Sequence, residues 1–158
     1  MGKIDTLLSS VQLDALRRAY LEEDMVQLLS SGIPGLDERT AEFIGAIRRA
    51  FYDGSGDTMS AKDRERCLIA ILASRDAGLN LALHVYCGLM EGLSPQEIAD
   101  IIFLGGIYTG VDRISDGLAA EMRTLTVLAQ TAVPPLPCAV SQVVEALVAA
   151  FRPPRGPQ

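Results

Sequence analysis

One histidine occurs in the 158-residue chain, His84, set in the apolar stretch LALHVYCGLMEG. Imidazole is the side chain whose ordinary charge change falls nearest neutrality, so His84 is the first candidate for proton transfer. The competing reading is a half-buried helix histidine bonded to a carbonyl. Glu65 is the second candidate, in SAKDRERCLIA between Asp63, Arg64 and Arg66. Its competing reading is a solvated first turn, where acids are favourable against the helix dipole. Cys87 follows His84 by three residues and so shares its helix face, and Cys67 follows Glu65 by two. A thiol beside histidine can be activated as a thiolate, although free cysteines are more often buried and inert. No second His or Cys pair stands at ligand spacing, so a metal site is not expected.

The composition narrows the functional classes. Fourteen Lys and Arg stand against twenty Asp and Glu, a net charge of −6, without the basic footprint that nucleic acid demands. The apolar fraction of 49% and charged fraction of 22% are those of a globular protein, and the length suits a single domain over residues 1–158. Three cysteines, an odd number without close pairs, predict reduced thiols rather than a disulfide framework. The N-terminal stretch is broken by Asp5 and Asp14, which argues against a signal peptide. It matches the loose myristoylation pattern at Gly2 and Thr6, for which a plain initiator segment is the simpler reading. No apolar run reaches the ~18 residues of a membrane span. These features predict a cytoplasmic protein with no nucleic-acid or membrane partner.

The elements that must position the candidates read as consecutive helices, about seven in number. Apolar residues recur at helical spacing over 13–29, ended by Gly32 and Pro34. A second helix, capped by Asp37, carries Phe43, Ile44, Ile47 and Phe51 on one face and stops at the loop 53–57. Ser60 and Asp63 resemble a capping box for a third, with Gly78 expected in a left-handed position at its end. A fourth, from Leu79 to Glu91, stops at Gly92. Ser94-Pro95-Gln96-Glu97 is the clearest start signal in the chain. A sixth helix follows Gly110, the stretch 132–137 (AVPPLP) is a break, a last helix holds Val140 to Phe151, and the tail 152–158 is expected to fray. The third to fifth helices are apolar over more than one face, which predicts a homo-oligomer.

Arg64 and Glu65 early in one helix, then His84, Gly92, and a capped helix running through Ser94, Glu97 and Ile98 to Tyr108 and Gly110, resemble the carboxymuconolactone decarboxylase family, which includes the AhpD-like alkylhydroperoxidases. The resemblance covers about residues 58–125, most specifically HVYCGLMEGLSPQEIADIIFLGGIYTGV. It implies an all-α, AhpD-like helical bundle that assembles as trimers or hexamers. The peroxidase branch places a CxxC pair between its Glu and His. Here the nineteen-residue separation of Glu65 and His84 is kept, but Ala77 and Asn80 occupy the two cysteine positions. Peroxidase activity of that type is therefore not expected.

The decarboxylase branch needs no metal or organic cofactor, and on this resemblance the chain would decarboxylate a small lactone or keto acid. His84 would be the proton donor or shuttle, with Glu65 setting its tautomer. Arg64, Arg75 and Arg113 are candidates for holding the substrate carboxylate, which guanidinium binds bidentately, and Tyr108 for a hydrogen bond in the pocket. Two alternatives stand beside this reading: thiol redox chemistry by Cys87 and Cys67, and a non-catalytic helical oligomer. One geometric conflict arises. With the turn at Gly78, Glu65 lies thirteen residues before it and His84 six after, leaving the pair about 10 Å out of level in a simple hairpin.

Overall fold

The structure, a computed structural model, describes residues 7–22, 59–75, 78–133 and 139–151, together with Arg39, Glu42, Phe43 and Ala46. Six helices run in order: α1 (Ser10–Glu22), α2 (Ala61–Arg75), α3 (Leu79–Met90), α4 (Pro95–Thr109), α5 (Val111–Thr131) and α6 (Val140–Phe151). There is no strand among the described residues, and the chain is all-α. Residues 23–29 of the expected first helix, most of the expected second helix, the loop 53–57 and the tail 152–158 lie outside the described residues. Phe43, expected on the apolar face of that second helix, is exposed.

Local signals act where the sequence puts them. Ser94 Oγ accepts from the Glu97 amide at 3.1 Å while Glu97 Oε2 accepts from the Ser94 amide at 2.8 Å, and Pro95 fills the first helical position of α4. At the end of α3, Gly92 takes φ +91°, and the amides of Gly92 and Leu93 reach back to the carbonyls of Leu89 and Gly88. That is a Schellman stop, open to glycine because the left-handed backbone costs it no Cβ clash. The expectation for Gly78 is corrected. Its backbone is extended (φ −104°, ψ −157°) and serves as the N-cap of α3, and α2 is described as far as Arg75. A helix start needs a non-helical, extended residue, and this short connection leaves Gly78 to supply it.

α3 is the central element, in contact with α1, α2, α4, α5 and α6. Leu81, Ala82, Val85, Tyr86, Leu89 and Met90 are buried, so its apolar character all round is absorbed inside one subunit. α4 behaves differently. Its inner face buries Ile98 and Ile102, yet Phe103, Leu104, Ile107 and Tyr108 remain exposed. Glycines draw α4 tight to α5: a Cβ at Gly106 would fall 2.0 Å from Ile114 Cγ1, and one at Gly117 2.6 Å from Ile102 Cγ2. Side chains of α1 close two helix ends, Gln12 Nε2 donating to the carbonyls of Ala129 and Ala132 and Arg17 Nε to that of Leu89.

Candidate active site

Glu65 sits just past the first turn of α2 on the same face as Ile69 and Ala73, all three buried, so the helix turns this carboxylate inward rather than into solvent. His84 lies in mid-α3 between the buried Ala82 and Val85. Its Nδ1 is 2.9 Å from Glu65 Oε2 within one subunit. The Glu65 side chain is 3% exposed and that of His84 31%, so one end of the pair is dry and the other meets solvent. An ionised carboxylate can only accept, which places the hydrogen on Nδ1 and turns Nε2 away from Glu65.

The level conflict resolves through Gly88. Glu65 of α2 lies opposite Gly88 of α3, so these two are the level pair. A Cβ built on Gly88 would lie 3.7 Å from Glu65 Cβ, 3.0 Å from Ile69 Cδ1 and 2.9 Å from Leu93 Cδ1. The helices therefore touch backbone-close there. His84 is one turn away, about 6 Å along the axis rather than 10 Å, a gap that the glutamate and imidazole side chains span together. Gly88 is the positioning residue that motif reading missed. Its signal was a glycine inside an otherwise apolar helix, which marks a close helix approach.

The remaining substrate-binding candidates lie on three different helices. Arg75 lines an open depression of about 420 Å³ with Ile71, Leu72, Gly78, Leu79 and Asn80. Asn80 precedes His84 by four residues, one helical turn, and the depression lies on the same two helices as the pair without being lined by either residue of it. Gly78 gives the start of α3 no side-chain cap, leaving its first amides directed at this end of the seam. Asn80 is thus a lining residue where the peroxidase branch carries a cysteine. Arg64 and Arg113 are half-buried, and Tyr108 is 85% exposed. Cys67 points outward while Glu65 points in, so the two are not brought together; Cys87 is half-buried and packs beside the core.

Next to the buried pair is an exposed ionic cluster. Arg66 donates to Asp63 at 2.6 Å and to Glu97 at 2.9 Å, and Lys62 Nζ lies 3.5 Å from Glu97 Oε1 and donates to the Gly92 carbonyl. The Ser94 amide first, then Arg66, hold the Glu97 carboxyl down to about 2. Ser60 and Arg66 lower Asp63 in the same direction. This cluster straps the start of α2 to the α3–α4 turn.

No group of three or more His, Cys, Asp or Glu among the described residues could hold a metal ion. No described helix is long and apolar enough to cross a membrane. No curated protein and no solved structure matches the chain. A family model does, over residues 34–120, a span that holds Glu65, Gly88 and His84 and more than half of the sequence. On that match the chain belongs to the carboxymuconolactone decarboxylase family.

Proposed function

We propose that the chain is a cofactor-free acid–base enzyme that removes carbon dioxide from a small lactone or keto acid at the α2–α3 seam. The observation that carries this reading is the 2.9 Å contact between a buried carboxylate and the only imidazole, with the imidazole half open to the seam. With Nδ1 turned to Glu65, Nε2 is the ring nitrogen that can carry a proton to substrate. The substrate carboxylate is held by Arg75 and the uncapped amides at the start of α3. The carbon–carboxylate bond breaks, its electron pair passes into the adjacent unsaturated carbonyl, and carbon dioxide leaves. The Nε2 proton then goes to carbon, and solvent returns a proton to His84. Apolar neighbours keep the Glu65 end dry, which strengthens the pair's electrostatics. Arg64, Arg113 and Tyr108 have no assigned part within one subunit.

The test is a screen of lactone acids and β-keto acids for carbon dioxide release with the wild type and His84→Gln. Release that depends on His84 supports the proposal. Thiol chemistry is the second reading, favoured by the half-buried Cys87 one turn from His84. Peroxide turnover that is lost with Cys87→Ser, and no carbon dioxide release, would put that reading in its place.

A further inference from the structure

Among the described residues, Arg75 at the end of α2 makes no ion pair or hydrogen bond through its guanidinium. Other arginines are occupied. Arg66 is held by two carboxylates, Arg17 by the Leu89 carbonyl, and Arg123 by the Ala150 carbonyl and the Phe151 ring. Arg75 instead borders the depression of about 420 Å³, at the small end of the roughly 300–1,000 Å³ that small-molecule sites occupy. The other described walls are Ile71, Leu72, Gly78, Leu79 and Asn80, none of them acidic. Ile71 is exposed and Leu72 and Leu79 are half-buried, so the subunit leaves apolar surface uncovered there. Gly78 adds room. Its φ of −104° suits any residue and a Cβ built on it meets no described atom within 4 Å, so neither backbone nor packing calls for glycine. This residue also forgoes the side-chain cap that Ser or Asp would give α3. What its missing side chain does leave is space on a wall of the depression.

We propose that this depression selects an acid with a single carboxylate and an apolar body, and discriminates against dicarboxylates. Arg75 holds the carboxylate through two parallel N–H groups, and the Asn80 amide donates to an oxygen beside it. Ile71, Leu72 and Leu79 take the apolar body, at about a fourfold gain in affinity for each methylene removed from water. A second carboxylate finds no second cation among the described walls, and it must either lie against the apolar side chains or leave them wet. The net charge of −6 adds long-range repulsion for each further negative charge on the ligand. Gly78 sets the width left for the body, so a larger residue there narrows the choice of acid. That the bound acid is also the substrate rests on the decarboxylase reading of the α2–α3 seam; the binding preference does not. On that reading the substrate is a keto or lactone acid with one carboxylate and an alkyl or aryl remainder.

The experiment is titration calorimetry of the full chain with three probes: phenylbutyrate, its neutral amide phenylbutyramide, and the dicarboxylate adipate. Phenylbutyrate should bind about tenfold tighter than either of the others, the worth of one charge-assisted hydrogen-bonded contact. Arg75→Gln should bring phenylbutyrate down to the affinity of the amide, and since Arg75 is exposed the helical circular dichroism should persist. Arg18→Gln, on the exposed side of α1, should change nothing. Gly78→Leu should weaken phenylbutyrate several-fold by filling part of the depression, again without loss of helix, because its Cβ meets no described atom. No binding of phenylbutyrate, adipate binding as tightly, or an affinity for phenylbutyrate untouched by Arg75→Gln would each overturn the proposal. Calorimetry needs no turnover, so the two readings fail separately. Absence of carbon dioxide release from every acid tested would remove the decarboxylase reading and leave the binding preference standing. Release that depends on His84 but comes faster from a dicarboxylate than from its single-carboxylate analogue would keep that reading and overturn this one.

Discussion

Two carboxylates sit within one turn of each other along the α2 side of the molecule and live in opposite surroundings. Glu97 is exposed and over-provided, with the Ser94 amide, Arg66 and Lys62 all converging on it. Glu65 is buried against Ile69 and Gly88 and faces an imidazole that is itself partly open. Loss of one partner at Glu97 leaves the others and water to compensate, as at most surface ion pairs. Loss of His84 at Glu65 removes a contact made in a dry place, where water is not at hand to replace it. The first arrangement makes a strap. The second makes a group whose protons matter.

The sharpest break of this contrast is His84→Gln. A glutamine amide still donates to Glu65, so the helices should stay docked and the circular dichroism unchanged. Carbon dioxide release should nonetheless fall by about 10²–10⁴, the usual worth of a positioned acid–base group. Retained turnover in this variant would remove His84 from the chemistry and reduce the pair to architecture.

The next largest effect is on stability. Glu65→Ala removes the acceptor from Nδ1 and opens a void against Ile69, and should lower the unfolding free energy by about 1–3 kcal/mol. Glu65→Gln keeps an acceptor oxygen and should cost less. Urea denaturation of the two variants measures the difference. Equal, negligible losses would mean that Glu65 is no more committed to its partner than Glu97 is.

Much of this contrast was legible before the structure. The all-α class, the box at Ser94 and Glu97, the stops at Gly92 and Gly110, and the pairing of Glu65 with His84 all follow from residue type and spacing. These are signals that act within a few residues, or, for the pair, a family spacing. What spacing did not convey was depth. SAKDRERCLIA reads as a charged first turn, and only the packing of α2 on α3 shows that Glu65 faces in while Asp63 and Arg66 face out. Reading Gly78 as the close of α2 sets the hairpin level wrong, because Gly78 is the extended N-cap of α3. The strap joining Arg66 to Glu97 spans thirty-one residues, and no local rule pairs charges across a helix and two turns. The apolar excess of α3 and α4 looked alike in sequence. Burial separates them, since α3 is enclosed by its own subunit and α4 is not.

The smallest expected effect isolates the strap from the pair. Glu97→Gln preserves a side chain that can complete the capping box through its amide oxygen, but removes the charge facing Arg66 and Lys62. In the folded chain the Glu97 carboxyl is lowered from its ordinary 4.5 to about 2, chiefly by the Ser94 amide and then by Arg66. A depressed carboxylate contributes stability that is fully present above its unfolded value and disappears as the pH falls through the folded one. The wild type should therefore exceed Glu97→Gln in stability by a constant amount above about pH 5. That margin should shrink between 4.5 and about 2, until the two unfold alike. Since the Glu97 side chain is 40% exposed and open to solvent, salt should narrow the margin at neutral pH as well. Thermal melts of both proteins across this pH range, at low and high salt, measure it. A margin that persisted unchanged to pH 2 would show that the box geometry, and not the charge, ties α4 to α2.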